Sequence, residues 1–346
     1  MTPLFGSFGM RTGAGRRWLG LRAAGCAVIF ALAFTTTPIM GAPVPAPVVQ
    51  QPASDSTDAE GLSWGPELLG APVVAAALRG LGVGALMAGV GLLALIAWLL
   101  PAAGGAPGRI AMALLWAAVA LLALHLGAWL LDASPDHRFD GDTMALLTAT
   151  GTGRAELLRL GLMVLCAGLA LSGQRSLAAL IGLGALGVSA DVGHAAAIAT
   201  AISLPAKIAH LLAGAAWLGG LLWLVLADPA APAYRAGMER VSAAALIAVL
   251  VVTASGVTAA LLFLPRLRDL FHSAYGALAL AKIAGVGVLV LFGVWHRYVL
   301  LPRAASVGGA GRLRRSVWYE LGVMALVILI GGLLAYVSPP EAAPPL

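Results

Sequence analysis

The chain has 346 residues, of which 60% are apolar and only 10% are charged. A soluble domain carries about 25% charged residues, so this composition excludes a water-soluble globular protein and predicts one that crosses the membrane several times. The formal net charge of +6 comes from arginines near the ends of apolar runs. That distribution is typical of membrane orientation, so we expect the lipid bilayer as a partner and no nucleic acid.

The first 47 residues have the layout of an export signal. Arginines at positions 11–22 precede a short apolar run at 23–34, and small residues follow it. This pattern predicts either a cleaved signal peptide or an uncleaved signal-anchor helix over residues 1–47. Residues 48–79 are rich in proline and alanine and carry several carboxylates, which favours a flexible acidic segment outside the cytoplasmic membrane.

Eight apolar segments follow, each about 20 residues long and therefore able to cross a hydrocarbon core of about 30 Å as a helix. They lack the alternation typical of membrane β-strands. We predict an all-α membrane protein, a bundle of about eight transmembrane helices, with a four-helix region at 80–200, a second four-helix domain at 201–338 and a tail at 339–346. The segments are 80–100, 109–131, 155–172, 176–195, 204–226, 241–264, 274–295 and 317–337.

The arginines predict how the bundle is oriented. If the acidic segment is outside, the inner loops hold more basic residues than the outer ones, and basic residues near helix ends favour the cytoplasmic side. We therefore expect a multi-pass protein of the cytoplasmic (inner) membrane, with both ends of the eight-helix body outside. The inner residues are Arg109, Arg175, Arg235, Arg240, Arg297, Arg303, Arg312, Arg314 and Arg315.

In this orientation, five of the six histidines fall towards the outer side. Asp191 and His194 are three residues apart on one helix face, and His210 begins the next segment at a similar depth. Imidazole binds copper, zinc, iron or nickel, and a carboxylate can orient it. His194 and His210 are therefore candidate metal ligands, Asp191 their orienting carboxylate, and His125 a further candidate. A hydrogen-bonded cluster that fixes helix packing, or proton or haem chemistry, would give the same pattern.

Other polar or sulfur-containing side chains in the apolar segments are weaker candidates for a functional role. Met87 and Met144 fall towards the outer side and could relay Cu(I) as thioether ligands, although core packing is the commoner role of methionine. We expect Arg159 to reach the outer interface and Glu320 the inner one, because both lie about one turn inside a segment. Lys282 lies deeper, and an ion pair with Asp191 is one way to accommodate it.

The sequence contains no Walker motif, dinucleotide-binding fingerprint, HExxH motif or nucleophile elbow. It therefore predicts neither an enzyme nor an ATP-driven pump.

The stretch His210-Leu-Leu-Ala-Gly-Ala-Ala-Trp-Leu-Gly-Gly resembles the opening signature of the copper resistance protein D (CopD) family. The resemblance covers about residues 150–338. Valine at 241 stands where the family usually has phenylalanine, and histidine at 296 stands where asparagine is common. The other similar motifs, in family order, are Gly151-Thr-Gly-Arg154, Glu239-Arg240-Val-Ser242, Tyr275-Gly276 with Lys282, His296-Arg297 with Pro302, and Arg315 to Glu320.

The resemblance implies a membrane protein of copper homeostasis and resistance that moves copper ions across the cytoplasmic membrane. It also implies a small periplasmic or other extracytoplasmic copper-binding protein as partner, and a CopD-like domain at 201–338. On this basis we expect a copper ion to bind at His194, His210, Asp191 and His125. Two alternatives remain: a haem-binding electron carrier with paired axial histidines, and a copper-sensing or assembly protein without transport.

Overall fold

The computed structural model describes residues 71–100, 105–134, 137–190, 200–264, 266–304 and 308–337, and every regular element in these ranges is a helix. The predicted all-α membrane class is confirmed. The expected signal at 1–47, the tail at 339–346 and most of the acidic segment at 48–79 lie outside the described residues. Helix α1 begins at Ala71, so the last part of that segment is helical and not flexible as expected.

The helices follow the predicted apolar segments closely, with short helices added in the connections. Two of the long helices continue into a π-helical turn: Ala71–Ala94 into Leu95–Leu99, and Ala274–Trp295 into His296–Leu300. In chain order the helices are α1 Ala71–Ala94, α2 Ala106–Ala133, α3 Gly141–Ala149, α4 Gly151–Leu171, α5 Arg175–Ala190, α6 Thr200–Leu226, α7 Tyr234–Phe263, α8 Asp269–His272, α9 Ala274–Trp295, α10 Leu301–Arg303 and α11 Gly309–Leu334.

Six stretches in the described ranges are long and apolar enough to cross a membrane. Two further predicted segments correspond to α4, which carries three charged residues in its first half, and to α5, which has 16 residues. The chain is thus a multi-pass membrane protein whose described residues include six helices long and apolar enough to span a membrane and two weaker candidates. The six are Val73–Leu99, Ala106–Ala133, Ala201–Leu226, Tyr234–Phe263, Ala274–Arg303 and Gly309–Leu334.

Helix α1 lies at the centre of the bundle and packs against α2, α5, α6 and α11. Glycines allow these close approaches. A Cβ on Gly219 of α6 would overlap the backbone of Gly91, and a Cβ on Gly332 of α11 would lie 2.8 Å from the Cα of Gly80. Small residues are the usual means of close packing between membrane helices, because lipid provides no hydrophobic force to drive them together.

Contacts along α1 also fix the register of its neighbours. Gly80 lies beside Gly332 and Gly84 beside Ile328, so α11 runs antiparallel to α1, and contacts with Leu122 and Leu115 show the same for α2. Met87 of α1 contacts Gly214 of α6. Gly91, one turn later on α1, lies beside Ala215 and Gly219, which also come later on α6. Helices α1 and α6 are therefore parallel. We call the end where α1 begins the His125 end, and the end where α1 finishes the Glu320 end.

Candidate functional site

Two of the four predicted ligands, Asp191 and His194, lie outside the described residues. The other two, His125 and His210, are described, and the structure gives them different contact partners. His125 lies with the start of α1 and with α4, whereas His210 on α6 contacts α7. Within the described ranges, no three His, Cys, Asp or Glu side chains come together as a metal cluster.

His210 is half-buried and is oriented by a serine of the neighbouring helix. Its Nδ1 lies 2.9 Å from Ser255 Oγ. The Ser255 hydroxyl donates its hydrogen to a backbone carbonyl of its own helix, that of Val251 at 2.6 Å or of Val252 at 3.1 Å. Since this single hydroxyl hydrogen goes to a carbonyl, Ser255 Oγ can accept from His210 Nδ1–H. The lone pair of the neutral ring is then on Nε2, the atom that could bind a metal.

Met87 of α1 packs against Gly214, a residue of the same helix as His210. A Cβ on Gly214 would lie 2.5 Å from Met87 Cε, and Gly214 is one helical turn after His210 on the same face. Met87 is buried, whereas Met144 on α3 is exposed. Lys282 of α9 extends towards α11, where its Nζ would be 3.5 Å from a Cβ on Gly331. Its expected partner, Asp191, is outside the described residues.

His125 faces the buried carboxylate of Glu156. Its Nδ1 lies 3.2 Å from the carbonyl oxygen of Ala75, which can only accept, so Nδ1 carries the hydrogen. Its Nε2 then presents a lone pair 3.8 Å from Glu156 Oε1. The other oxygen of Glu156 accepts from Arg159 Nη2, three residues further along α4. The hydroxyl of Tyr336 lies 3.3 Å from His125 Nδ1.

This group is almost completely removed from the surface. Glu156 is 1% and Arg159 is 0% exposed, so the expectation that Arg159 reaches the outer interface is wrong. The Glu156 carboxylate retains Arg159 in the interior, because an ion pair costs less to bury than a lone charge. Arg79 of α1 also interacts electrostatically with Glu156. Within the described part of the chain, Glu156 Oε1 and two nitrogens of Arg159, Nε and Nη1, lack hydrogen-bond partners.

A third polar group lies at the Glu320 end. Trp217 Nε1 donates to Glu320 Oε1 at 3.2 Å, and His296 Nδ1 lies 3.0 Å from Glu320 Oε2. His296 Nε2 lies 2.8 Å from Ser316 Oγ. Glu320 is 1% exposed, so the expectation that it reaches the inner interface is wrong. The carboxylate turns into the bundle because an indole and an imidazole there replace water as its partners.

Two arginines of the CopD-like motifs join neighbouring elements at the same end. Arg297 donates to Ser242 Oγ of α7 at 3.1 Å, and Arg240 donates to the carbonyl oxygen of Leu99 at 2.9 Å. The Leu99 carbonyl lies at the end of the π-helical turn after α1, so Arg240 satisfies an acceptor that the helix leaves open. Motif residues far apart in sequence therefore come together at this end of the bundle.

The sequence alone did not reveal Glu156, Ser255 or Tyr336. A signal for Glu156 was present, since a glutamate three residues before an arginine in an apolar segment places both on one helix face. Ser255 and Tyr336 gave no such signal, because their role depends on partners 45 and 211 residues away in the chain.

Comparisons with known proteins agree with the motifs. Residues 235–334 match the family described as Copper resistance protein D. A stretch of 168 residues is 30% identical to the Copper transport protein CutJ of Bacillus subtilis (strain 168), covering 46% of this chain and 30% of CutJ. The chain therefore matches less than a third of the length of that relative. No solved structure is significantly similar to the chain.

The family match contains the α7, α9 and α11 motifs, including Arg240, Lys282, His296 and Glu320. These are residues from which the resemblance was inferred, and that inference is confirmed. Residues 235–334 of this multi-pass membrane protein are therefore similar to the family described as Copper resistance protein D.

Proposed function

We propose that the chain moves copper ions across the cytoplasmic membrane, from a histidine-containing site at the His125 end. The family of residues 235–334 and the name of the relative from Bacillus subtilis support copper as the substrate. The arginine distribution supports the His125 end as the outer end. In this proposal the protein is a carrier and not an enzyme, and a small extracytoplasmic copper-binding protein delivers the ion.

The observation that carries the proposal is the orientation of His210 by Ser255. A hydrogen bond from Nδ1–H to Ser255 Oγ leaves Nε2 as an electron-pair donor inside the bundle. Ligand histidines are commonly held in this way by a hydrogen bond from their other ring nitrogen. The buried thioether of Met87, which packs on Gly214 one turn after His210, would add a soft ligand suited to Cu(I).

His125 and Glu156 support a binding position that the ion would occupy before it reaches His210. Nε2 and Oε1 face each other at 3.8 Å, and neither is bonded to a hydrogen. A cation between them would lie about 2 Å from each, the usual length of a first-row metal bond to nitrogen or oxygen. Arg159 and Arg79 would weaken binding there, which suits a position that the ion must leave.

Asp191 and His194 complete the proposed outer site. They precede α6 by a few residues, and His210 is about 15 Å along α6 from its first residue at a rise of about 1.5 Å per residue. In the proposal His194 first captures copper with Asp191 as the orienting carboxylate, and His210 takes it deeper. Loss of His194 should therefore slow capture, whereas loss of His210 should stop passage.

Copper uptake by proteoliposomes tests the proposal. Wild type is compared with His210→Ala, His194→Ala and the matched control His272→Ala, which removes an exposed histidine at the end of α8. Copper bound to each purified protein is measured by elemental analysis. We expect His210→Ala to lose uptake and His272→Ala to keep it.

Other outcomes distinguish the alternatives. Equal uptake by wild type and His210→Ala would refute the site. Copper binding with background uptake in wild type would identify a sensing or assembly protein. A Soret absorption band in the purified protein would instead support the haem-binding alternative.

A further inference from the structure

Of the six helices long enough to span a membrane in the described ranges, α9 is the least buried, and a groove follows its second half. The groove has a volume of about 570 Å³ and lies between α9 and the first part of α11. Apart from Ser316 of α11, its lining side chains are apolar or aromatic and come from α9 and the π-helical turn after it, among them Val288, Leu291 and Phe292. Exposed apolar surface of this kind marks a site of contact with lipid or with another protein.

The length of the groove matches one leaflet of a bilayer. Helix α9 finishes at the Glu320 end, because the His296 that follows it contacts Ser316 near the start of α11. Val288 and Val299, which line the groove along α9 and its π-helical turn, are about 16 Å apart at about 1.5 Å per residue. One leaflet contributes about half of a hydrocarbon core of about 30 Å. The groove is therefore long enough to hold an acyl chain of the leaflet at the Glu320 end.

The side chains at the Glu320 end of the groove suit the polar part of a lipid. Trp295 and Tyr298 are 53% and 72% exposed, and such aromatic side chains concentrate at the membrane–water interface. Arg312 precedes Ser316 by four residues, so it lies on the same face of α11 and about 6 Å nearer the Glu320 end. Helical side chains lean towards the N-terminus of their helix, which carries the Arg312 guanidinium further out, to the depth of the headgroups. Arg315, next to Ser316, is also exposed.

The arginines at this position have charge available for an anion. Within the described residues, neither Arg312 nor Arg315 forms an ion pair. From Ala274 to Leu334 the sequence has five arginines and one acidic residue, Glu320, which is buried and accepts from Trp217 inside the bundle. Arginines at the membrane surface attract anionic headgroups, and their N–H groups match the oxygens of a phosphate. The charge at the end of the groove is therefore complementary to a phospholipid with a net negative charge.

We propose that this groove binds one anionic phospholipid of the leaflet at the Glu320 end. An acyl chain lies against the apolar side chains of α9, and phosphate oxygens of the headgroup accept hydrogen bonds from Arg312 and Arg315. The bound lipid covers a side of α9 that the described helices leave open, since the main neighbour of α9 is α11. Lipid binding at this site does not require copper.

A second copy of the chain is a poorer occupant of the groove. Two copies related by a two-fold axis along the membrane normal bring equivalent residues together, so Arg312 and Arg315 would face the same arginines of the other copy. Like charges that face each other across an interface oppose association. An acyl chain brings no charge into the groove, and the headgroup brings a charge of the opposite sign to the arginines.

Native mass spectrometry of the full chain in detergent tests the headgroup contact. Phosphatidylglycerol and phosphatidylcholine with identical acyl chains are titrated into wild type, Arg312→Gln/Arg315→Gln and the matched control Arg109→Gln/Arg175→Gln, which removes two exposed arginines of other helices at the same end. We expect wild type and the control to prefer phosphatidylglycerol for the first bound lipid. The groove variant should lose about tenfold or more of that preference, since each arginine near an anionic headgroup contributes about fivefold. Equal binding of the two lipids by wild type, or an equal loss in the control, would overturn the proposal.

A second pair of variants tests the acyl chain. Val288→Trp fills the groove with a large side chain at a position that is 42% exposed, and Leu246→Trp adds the same side chain on the exposed face of α7. We expect Val288→Trp to weaken the first bound lipid severalfold with either headgroup, and Leu246→Trp to bind as wild type. Unchanged binding in Val288→Trp, or displacement of phosphatidylglycerol by excess inorganic phosphate, would overturn the proposal in favour of an anion site on the arginines alone. A dimer that carries no lipid would overturn it in favour of a second copy of the chain.

Discussion

Trp217 on α6 donates its indole N–H to a carboxylate oxygen of Glu320 on α11 at 3.2 Å, across 103 residues of sequence. Both side chains are buried, so the bond joins two helices where water cannot replace either partner. A hydrogen bond to a charged group contributes about 1.5–3 kcal/mol to stability. The family motifs that contain these residues therefore meet in one contact.

Trp217→Phe should lower the free energy of unfolding by about 1.5–3 kcal/mol, because it removes the donor to Glu320 and retains most of the ring. Trp223→Phe is the matched control: Trp223 is equally buried, stacks on Tyr234 and has no hydrogen-bond partner on Nε1 in the described ranges. Chemical unfolding in detergent micelles, followed by circular dichroism, measures both. Equal losses in the two variants would show that ring volume, and not the hydrogen bond, stabilises this contact.

Gly91→Ala and Gly219→Ala should each prevent normal packing of α1 on α6. A methyl group at either position would overlap the backbone of the other helix, and a backbone cannot move aside as a flexible side chain can. Gly287→Ala is the control, since nothing lies within 4 Å of its Cβ position. We expect that control to gain up to about 1 kcal/mol from helix propensity. Monodisperse elution and unchanged thermal stability of Gly91→Ala would contradict the close contact.

The sequence predicted the helical segments well because a span requires a long apolar run, which is visible without any partner. It misjudged residues whose environment depends on a neighbouring helix. Arg159 and Glu320 lie near segment ends, where long charged side chains often extend to water, and only the positions of Glu156, Trp217 and His296 reveal why they turn inward.

Asp140 should make α3 sensitive to acid. It is the N-cap of α3, and its carboxylate accepts from the Thr143 N–H at 2.8 Å. That bond and the Thr143 hydroxyl hold the pKa of Asp140 below its ordinary value. Because the folded pKa is the lower one, the cap stabilises α3 at and above the ordinary pKa and is lost as pH falls through the folded value.

Hydrogen exchange of residues 141–149 checks this prediction. We expect exchange at neutral pH to be faster in Asp140→Ala than in wild type, with a smaller difference between the two proteins in acid, once intrinsic rates are corrected for pH. Asp142→Ala, which changes the first turn without removing the cap, should resemble wild type. A difference that persists unchanged into acid would show that the cap does not depend on the charge of Asp140.

Removal of either member of the Glu156–Arg159 pair should destabilise the bundle strongly. Arg159→Met leaves a buried carboxylate and Glu156→Gln leaves a buried guanidinium, and breaking a buried pair typically costs about 3–5 kcal/mol. The double variant Glu156→Gln/Arg159→Met should recover most of that loss. Arg235→Met breaks an exposed pair with Glu239 and should cost about 0–1 kcal/mol. Additive losses in the double variant would mean that the two side chains act independently.

The sequence revealed only part of the candidate site, because the orientation of its side chains depends on residues of neighbouring helices. His210 could be selected as a candidate ligand because an imidazole in an apolar segment is conspicuous by itself. The hydrogen bond that orients it is accepted by Ser255 on another helix, whose hydroxyl also bonds to its own backbone, as serine in a helix often does. Which ring nitrogen faces the interior could not be decided until that neighbour was placed.

Ser255→Ala should weaken copper binding without removing any proposed ligand. The His210 Nδ1–H would lose its acceptor, so the ring could turn or change tautomer and Nε2 would no longer be held in place. Loss of such a supporting hydrogen bond typically costs about 10–100-fold in metal affinity. Thr258→Ala is the control, because Thr258 lies on the same helix and bonds to its own backbone at Ala254. Competition with a chromophoric Cu(I) chelator measures each affinity. Wild-type affinity in Ser255→Ala would mean that His210 either does not bind the ion or needs no orientation, whereas an equal loss in Thr258→Ala would point to a general effect on α7.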